Sequence, residues 1–567
     1  MAVVVLLALA SIISVVIYLS NLLKRPPNYP PGPNWLPLIE NHYLIKQQSR
    51  LYGGLHQAFQ KLSELYKTNV LGLKLGGVHV IAVSTYPLVK TVLSSDAFEG
   101  KPDNFFLRLR CMGRLKGIVC TDGPLWAEQR NYLVRCLKNA GFGKKTMESL
   151  IVEELADILK QFQEKGPDVE FEPILEPSVL NIVWSLLTGM RLHHEDPRLQ
   201  NLLSMFRKRG SVFDMAGGTL NQYPWLRHII PDRIGYKLLL NINKELKEFF
   251  MEIIRYHHET WEPNRQDNLI YRFISERYRL DESKESFTDD QLVIIFLDLF
   301  LGASQTSGSA LSFILLRLLV HPEIQEKVYK EISESLDPNE PLSYADRVKV
   351  PYVDAVISEV SRMYPIAALA APRRAVKDTV LDGYHIPAGS TIFANIYSVH
   401  HDREFWGDPE AFRPERFLNK NGTVQYGERL LNFGLGRRRC PGEQLARQAI
   451  FIFLVGILRK YKICSVPNSE LPSMEPAIRL FLTPQKYKAR LIPLKDLRID
   501  ILVQSTAATG AGNTCSSVIA SVVHRQLLKF EIVDTRDITV LQLVELQTRL
   551  SKRVNHVVYN FRRQLSR

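Results

Sequence analysis

The sequence predicts a mainly helical fold with small β-sheets, preceded by a single N-terminal transmembrane helix. Apolar residues recur at helical spacing over long stretches, whereas strand-like alternation is confined to short ones. The first segment of the chain, residues 2–23, carries no charged side chain. From residue 40 to 495 no linker-like break interrupts these patterns, so one large domain is favoured over two.

Residues 2–23 are long enough to cross a bilayer, because at helical rise they span about 33 Å. A cleaved signal peptide is the alternative, but no basic segment precedes the run, and Lys24 and Arg25 follow it. The positive-inside rule then places the N-terminus in the lumen and the remaining chain in the cytosol. We therefore predict an uncleaved signal anchor.

A proline-rich segment, residues 24–39, follows the anchor. It contains "RPPNYPPGPNWLP", in which prolines occupy positions 26, 27, 30, 31, 33 and 37. Such a segment cannot be helical and behaves as a semi-rigid spacer. We expect a hinge that holds the domain at a fixed orientation to the membrane.

Within the domain, the clearest helical patterns run from Asp289 to Leu319, Pro322 to Ser333 and Tyr352 to Met363. A hairpin is predicted from Val70 to Ser84, turning at Gly76-Gly77. Further short strands are predicted in "LDGYHIPAGSTIFAN" (381–395) and "YKARLIP" (487–493).

The C-terminal extension, residues 496–567, differs in composition from the domain. Its first part, 504–517, is rich in Ser, Thr, Ala and Gly and is typical of a flexible linker. Near 540–565 apolar residues repeat in steps of three and four, which predicts an amphipathic helix. This helix could dock on the domain, on a membrane or on another protein.

Charge and cysteine usage restrict the partners and the compartment. The formal net charge is +13, but the basic residues are dispersed and no recognition-helix or zinc-finger pattern accompanies them, so we exclude nucleic acid. A membrane surface or an acidic protein partner is favoured. The six cysteines show no CxxC pair, which indicates reduced thiols facing the cytosol.

One cysteine has an unusual setting. Cys440 lies in "NFGLGRRRCPGEQLARQAIFIF" (432–453), behind two glycines and three arginines, just before a predicted helix. Backbone N–H groups at a helix N-terminus and neighbouring cations both favour a thiolate. The pattern therefore predicts that Cys440 favours the thiolate form.

Three further motifs are each weak alone. Glu359 and Arg362 in "SEVSRMYP" share a helix face and can pair, although an exposed salt bridge is the simpler alternative. Arg416 lies in "FRPERF", where a solvated turn is the alternative. Trp126 and Arg130, one helical turn apart in "LWAEQR", could grip a planar anionic ligand or merely stack.

Small and hydroxylic residues interrupt an otherwise apolar helix in "LFLGASQTSGSAL", Leu299 to Leu311. Ser, Thr and Gly are poor helix formers, so this is costly for packing alone. Two explanations stand equally: another helix approaches closely, or a ligand lies against the helix and Thr306 offers it a hydroxyl.

Taken in order, these motifs resemble the cytochrome P-450 family of haem-thiolate monooxygenases, over roughly residues 26 to 495. The resemblance is to the membrane-anchored microsomal kind, which implies a single-pass protein of the endoplasmic reticulum membrane with its catalytic domain in the cytosol. The family's pattern Phe-x-x-Gly-x-Arg-x-Cys-x-Gly is matched completely, by Phe433, Gly436, Arg438, Cys440 and Gly442.

The resemblance implies that Cys440 is the axial thiolate ligand of the iron of haem b. It implies a cofactor-binding set around that ligand: Trp126, Arg130, Arg373, Phe433, Gly434, Gly436, Arg438 and Gly442. Arg373 stands where many relatives have a propionate-binding histidine, and arginine can serve that role. The resemblance also implies a structural charge network of Glu359, Arg362 and Arg416.

Thr306 and Gln305 are the catalytic residues that the resemblance implies. Thr306 matches the threonine whose hydroxyl helps to deliver protons during oxygen activation. The residue before it is usually acidic in the family, and a glutamine cannot relay a proton by ionising. The small pair, Gly302-Ala303, is also the reverse of the usual alanine-glycine. Thr306 and ordered water could still carry protons.

The implied function is insertion of one oxygen atom of O2 into a lipophilic substrate, with electrons from a separate NADPH-dependent flavoprotein reductase. Cytochrome b5 is a further candidate partner. Basic residues near the thiolate face suit an acidic reductase surface; they are Arg135, Lys138, Arg437, Arg439 and Arg447. A haem-thiolate isomerase or dehydratase, and a non-catalytic haem-binding relative, are the alternatives.

Within the family, residues 213–232 and "GASQTS" resemble the insect group that contains methyl farnesoate epoxidase. This implies a terpenoid or other lipophilic substrate, for which epoxidation and hydroxylation both stay open. Candidate substrate contacts, chosen by position, are Phe105, Val119, Phe300 and Ile366.

Overall fold

Helices form wherever the sequence combines an apolar stripe with a start signal. Thr288 accepts a hydrogen bond from the Gln291 N–H at the start of the longest apolar pattern, and acidic residues occupy the first turn. Two other helices begin at prolines, Pro322 and Pro351, which suit the first helical turn.

This computed structural model describes residues 11, 14, 23–212, 218–280, 286–477 and 481–494. Nearly all of the predicted transmembrane helix 2–23 lies outside the described residues, and so does the whole C-terminal extension 496–567. The described chain up to Ile492 belongs to one compact unit.

Among the residues from 42 onward that the structure describes, the α-helices up to residue 222 are α1 His42–Tyr52, α2 Leu55–Leu65, α3 Tyr86–Ser94, α4 Phe105–Arg110, α5 Gly123–Asn139, α6 Lys145–Lys165, α7 Glu172–Thr188, α8 Pro197–Val212 and α9 Gly218–Gln222. The others are α10 Tyr236–Glu259, α11 Leu269–Arg279, α12 Asp289–Ser304, α13 Thr306–Val320, α14 Pro322–Ser335, α15 Pro351–Met363, α16 Ile396–His400, α17 Arg403–Trp406 and α18 Glu443–Leu458. Short 3-10 helices span Asp96–Phe98, Pro224–His228, Tyr344–Lys349, Pro414–Phe417 and Gly436–Arg438.

The strands are β1 Val70–Leu75, β2 Val78–Val83, β3 Asp168–Val169, β4 Arg373–Arg374, β5 Thr379–Leu381, β6 Tyr384–Ile386, β7 Thr391–Ala394, β8 Tyr461–Cys464, β9 Pro476–Ala477, β10 Thr483–Pro484 and β11 Ala489–Pro493. They form a four-stranded sheet in the order β1-β2-β7-β4, a three-stranded sheet β3-β11-β8, and two pairs, β5-β6 and β9-β10. Only the β2–β7 pairing in the four-stranded sheet is parallel. The predicted mainly helical fold with small sheets is confirmed.

The predicted hairpin is present, with Leu75 paired to Val78 across the turn. Gly76 and Gly77 have φ angles of +60° and +79°. A two-residue turn with both φ angles positive matches the twist of the strands, and glycine adopts it without strain.

The core of the domain is built on α12, α13 and α18, with α6 and α7 packed around them. Among the described residues, Asp289–Val320 is long and apolar enough to cross a bilayer. However, 67% of its most apolar stretch is buried inside the protein. It is a core helix. The predicted helix over 289–319 is interrupted at Gln305, whose φ and ψ of −108° and −28° separate α12 from α13.

The proline-rich segment differs from a free hinge, because it packs on the sheet. Tyr29 and Trp35 are buried, and the Tyr29 hydroxyl donates to the Leu73 carbonyl at 2.7 Å. The Gly72 N–H donates to the Pro31 carbonyl at 2.7 Å. From about Tyr29 onward this segment is therefore part of the domain.

The charge network of Glu359, Arg362 and Arg416 lies in the interior. Arg362 donates two hydrogen bonds to the Glu359 carboxylate, at 2.8 and 2.9 Å, and Arg416 donates a third at 2.9 Å. The side chains of Glu359 and Arg362 have no exposed surface. The alternative of an exposed salt bridge is therefore wrong for this pair.

The two arginines also hold the chain that follows α16. Arg362 donates to the carbonyls of His400 and Pro409, at 2.8 and 2.7 Å. Arg416 donates to the carbonyls of Trp406 and Asp408. Because a buried charge needs a partner, this network fixes the loop 400–416 against α15.

Removing the central carboxylate should destabilise the domain strongly. In Glu359→Gln, the buried Arg362 loses its counter-charge and Arg416 keeps only its pair with Asp408, so we expect the free energy of unfolding to fall by roughly 3–5 kcal/mol. Chemical denaturation followed by circular dichroism measures this change. Arg403→Met, which breaks the exposed Arg403–Glu410 pair, is the control and should cost less than about 1 kcal/mol. Equal losses in the two variants would contradict the role of the network.

Candidate active site

A cavity of about 430 Å³ lies between the core helices and the loop that carries Cys440. The end of α12, the start of α13, the start of α18 and the loop 432–442 all contribute to its wall. Cys440 and Thr306 both face it. The structure therefore brings together the two residues that the sequence places 134 positions apart.

The loop takes its shape from two glycines and one backbone hydrogen bond. Gly434 and Gly436 both have a φ of +69°. A Cβ at Gly436 would lie 2.6 Å from the Leu93 carbonyl oxygen, so no larger residue fits. The Cys440 N–H donates to the Phe433 carbonyl at 2.9 Å. Together these constraints aim Cys440 into the cavity, three residues before α18.

The surroundings of Cys440 act on its thiol in opposite directions. Desolvation raises the pKa of the Cys440 thiol overall, whereas the Gly442 N–H, Arg130 and Arg439 act to lower it. Arg439 is also engaged in an ion pair with Glu443 at 2.6 Å.

Arg438 and Trp126 form a stacked pair at one end of the cavity. The Arg438 guanidinium lies 3.7 Å from the centre of the Trp126 ring, and its Nη1 donates to the Thr121 carbonyl at 2.7 Å. Its Nε and Nη2 atoms are buried without a hydrogen-bond partner, and so is the Trp126 Nε1. Buried donors of this kind require an acceptor.

Arg130 and Arg373 add to the positive charge at this end. Both line the cavity with Arg438, and Arg130 also donates to the Arg439 carbonyl. Burial lowers the pKa of Arg373 to about 10, and burial together with Arg373 lowers the pKa of Arg438 to about 10. Four of the predicted cofactor-binding residues, Trp126, Arg130, Arg373 and Arg438, are thus assembled in one place.

Sequence reasoning missed a fourth cation, Lys101. Its side chain is buried, lines the same cavity and donates to the Pro372 carbonyl at 3.1 Å. Burial, then Arg373 and Arg438, lower its pKa well below the usual range. No motif surrounds Lys101 in the sequence, so nothing short of the fold could have singled it out.

These residues fit a haem group. A planar macrocycle with two carboxylates would occupy the cavity beside Cys440 and supply acceptors for the unpartnered donors of Arg438 and Trp126. It would also balance the positive charge of Arg130, Arg373 and Lys101. Cys440 provides the thiolate that iron takes as a ligand.

The two predicted catalytic residues do not face the same space. Thr306 lines the cavity with Cys440, and its hydroxyl donates to the Gly302 carbonyl at 2.7 Å. Gln305 lines an adjoining cavity of about 260 Å³. The break in the helix at Gln305 separates the directions of the two side chains.

Both explanations of the small residues hold, at different positions. Gly302, Ala303 and Thr306 line the cavity and leave room for a ligand. Gly308 approaches α7 instead, since a Cβ there would lie 3.6 Å from the backbone nitrogen of Glu176.

Two of the four candidate substrate contacts line the cavity that holds Cys440. Val119 and Ile366 line the cavity. Phe300 instead stacks on Trp184 and Phe250 within the core, with ring centres 5.7 Å apart in each pair. Phe105 packs against Tyr236 and does not line either cavity, whereas its neighbour Phe106 lines the second.

Comparison with known proteins agrees with this geometry. The family model for cytochrome P450 matches residues 30–491. A Drosophila melanogaster protein named "Probable cytochrome P450 305a1" is 39% identical over 495 residues, which cover 85% of this chain and 98% of that protein. "Farnesoate epoxidase" of Bombyx mori is 34% identical, over 83% of this chain and 95% of its own. "Cytochrome P450 2J5" of Mus musculus is also 34% identical, over 84% and 94%.

A match of this extent, together with a cysteine aimed into a cavity that four basic residues also line, identifies the fold and the cofactor. The relatives are haem-thiolate monooxygenases, which hold haem b through a cysteine thiolate. The chain belongs to the cytochrome P450 family.

Proposed function

We propose that this enzyme inserts one oxygen atom of O2 into a lipophilic, terpenoid-like substrate and reduces the other atom to water. The observation that carries the proposal is that Cys440 and Thr306 face one cavity whose remaining wall is largely apolar, with Val119, Ala303 and Ile366 among its residues. The similarity to a protein named "Farnesoate epoxidase" supports a terpenoid substrate.

Each residue of the site has a separate task. Bound haem supplies the oxygen-activating chemistry. Cys440 would hold its iron, and Arg130, Arg373, Arg438 and Lys101 would hold its carboxylates. The Thr306 hydroxyl holds a proton on Oγ1, which it donates to the Gly302 carbonyl and can redirect into the cavity.

Electrons should come from NADPH through a separate flavoprotein reductase, with cytochrome b5 as a further donor, at the membrane of the endoplasmic reticulum. The exposed side chains of Arg135 and Lys138 are available to an acidic partner. Arg437 is exposed but pairs with Glu99, while Arg439 and Arg447 both pair with Glu443. We therefore assign the main docking role to Arg135 and Lys138.

A haem-thiolate isomerase or dehydratase would act without a reductase. Gln305 suggested that alternative, but its side chain faces the adjoining cavity, away from Cys440. Turnover that requires both NADPH and O2 supports the oxygenase, and turnover without them supports the isomerase.

The carbon monoxide difference spectrum of the reduced, membrane-expressed protein tests the thiolate ligand. We expect a strongly red-shifted Soret band, because a thiolate donates electron density to the iron, and loss of that band in Cys440→His. Cys464→Ser, at a half-buried cysteine outside the cavity, is the control and should keep the band. A haem-loaded parent without the band, or a Cys440→His variant that retains it, would sink the assignment.

Arg438→Gln should weaken haem binding by roughly 10- to 100-fold, since the variant loses a charge-assisted contact to a carboxylate. The molar ratio of haem to purified protein, measured over serial dilution against apomyoglobin, reports the change. Arg437→Gln is the matched control, because that neighbouring side chain is exposed and lies outside the cavity. If the two variants lose haem equally, Arg438 is not a cofactor-binding residue.

Thr306→Ala should uncouple the reaction. We expect NADPH consumption to continue while the fraction of NADPH that yields oxygenated product falls several-fold, because the hydroxyl no longer holds a proton at the site. Thr91→Ala is the control, since the Thr91 hydroxyl makes the same contact, to the carbonyl four residues earlier, on an exposed helix. Undiminished coupling in Thr306→Ala would count against its role.

A further inference from the structure

The second cavity adjoins the first and continues it away from Cys440. The two share wall residues, among them Val119, Asp298, Gly302 and Ala371. Its apolar wall includes Phe106, Leu107, Phe206 and Phe393. An elongated lipophilic ligand with one end beside Thr306 would therefore place its other end in the second cavity.

The charged residues of the second cavity include one carboxylate, Asp298. Asp298 pairs with Arg110 at 2.8 Å, and neither side chain is more than 8% exposed. The same carboxylate accepts hydrogen bonds from the N–H groups of Ile118 and Val119, at 2.8 and 2.9 Å. Asp298 is thus committed to Arg110 and to the backbone.

Arg209 is a second buried cation in the same wall. It is 2% exposed, and it donates to the Asn243 side chain and, at 2.8 Å, to the Arg110 carbonyl. No carboxylate among the described residues lies within ion-pair distance of its guanidinium. Burial beside Arg110 lowers the pKa of Arg209 to about 9, which is still above physiological pH, so the group is charged.

Among the described residues, Arg110 therefore has a carboxylate partner, Asp298, and Arg209 beside it has none, in an interior that faces a cavity. Burying an unbalanced charge is costly, and the cost falls when an anion enters beside it. The apolar wall restricts that anion to one attached to a lipophilic body. A carboxylate suits the planar donor fork of arginine.

We propose that the second cavity binds the carboxylate of an elongated lipophilic acid through Arg209, while the apolar chain extends toward Thr306 and Cys440. This inference rests on the proposed function and narrows its substrate to lipophilic acids. It also assigns the site of oxidation to the part of the chain remote from the carboxylate, because Arg209 fixes the opposite end.

Farnesoate and its methyl ester are the probes, since they share one chain and differ in charge. Equilibrium dialysis against the haem-loaded full-length enzyme, without NADPH, measures both dissociation constants. We expect the acid to bind roughly 10- to 100-fold more tightly than the ester. In Arg209→Met this preference should fall below about threefold, with the ester affinity changed by less than about twofold, because the apolar wall is intact.

Arg198→Met is the matched control: it lies on the same helix, α8, but is 64% exposed and pairs with Asp196. It should keep the full preference. Arg209→Lys retains the positive charge but not the planar donor fork of arginine, so it should keep part of the preference for the acid. This variant preserves the test if a thermal melt shows that Arg209→Met does not fold.

An acid that binds no more tightly than its ester, including the case in which neither binds, overturns the proposal. So does an Arg209→Met variant that keeps the preference. Because binding is measured without turnover, such results leave the oxygenase proposal standing. Conversely, a missing carbon monoxide band beside an intact preference for the acid overturns only the oxygenase proposal.

Discussion

Positive charge concentrated at one end of the Cys440 cavity is the constraint on which the rest of the structure depends. Lys101, Arg130, Arg373 and Arg438 come from four distant segments of the chain and meet there; Lys101 and Arg373 are buried, and the other two are half-buried. Bringing like charges together in the interior is unfavourable without a counter-ion. The apoprotein is therefore built for a ligand with at least two negative charges, and the haem carboxylates meet that requirement.

Helix α15 connects this site to the charge network. One part of its surface carries Glu359 and Arg362, which are locked into the interior, while Ile357 and Ser361 line the cavity. The Asn432 side chain donates to the Ser361 carbonyl at 2.7 Å and so ties the loop before Cys440 to the same helix. The network holds α15, and α15 holds one wall of the site; no residue of the network needs to touch a substrate.

Sequence patterns predicted the hairpin, the principal helices and the position of Cys440 because these depend on local spacing. The directions in which core side chains point were less predictable. On α12 nearly every residue is apolar, so periodicity cannot tell that Phe300 packs inward while Leu299 lines the cavity. The break in the helix at Gln305 could likewise not be predicted, because no proline marks it in the sequence. The arginines beside Cys440 are visible in the sequence, whereas the desolvation that opposes their effect on the thiol pKa is a property of the fold.

The docking of the proline-rich segment on β1 has a mechanical consequence. Gly32 and Gly72 are in backbone contact, so closely that a Cβ at Gly32 would overlap the Gly72 carbonyl, and Arg25 donates to the carbonyls of Gly32 and Pro33. A segment held in this way has little slack between Arg25 and β1. A force applied to the chain at Lys24 would therefore pass directly into the four-stranded sheet, and the sheet would have to open before the segment could lengthen.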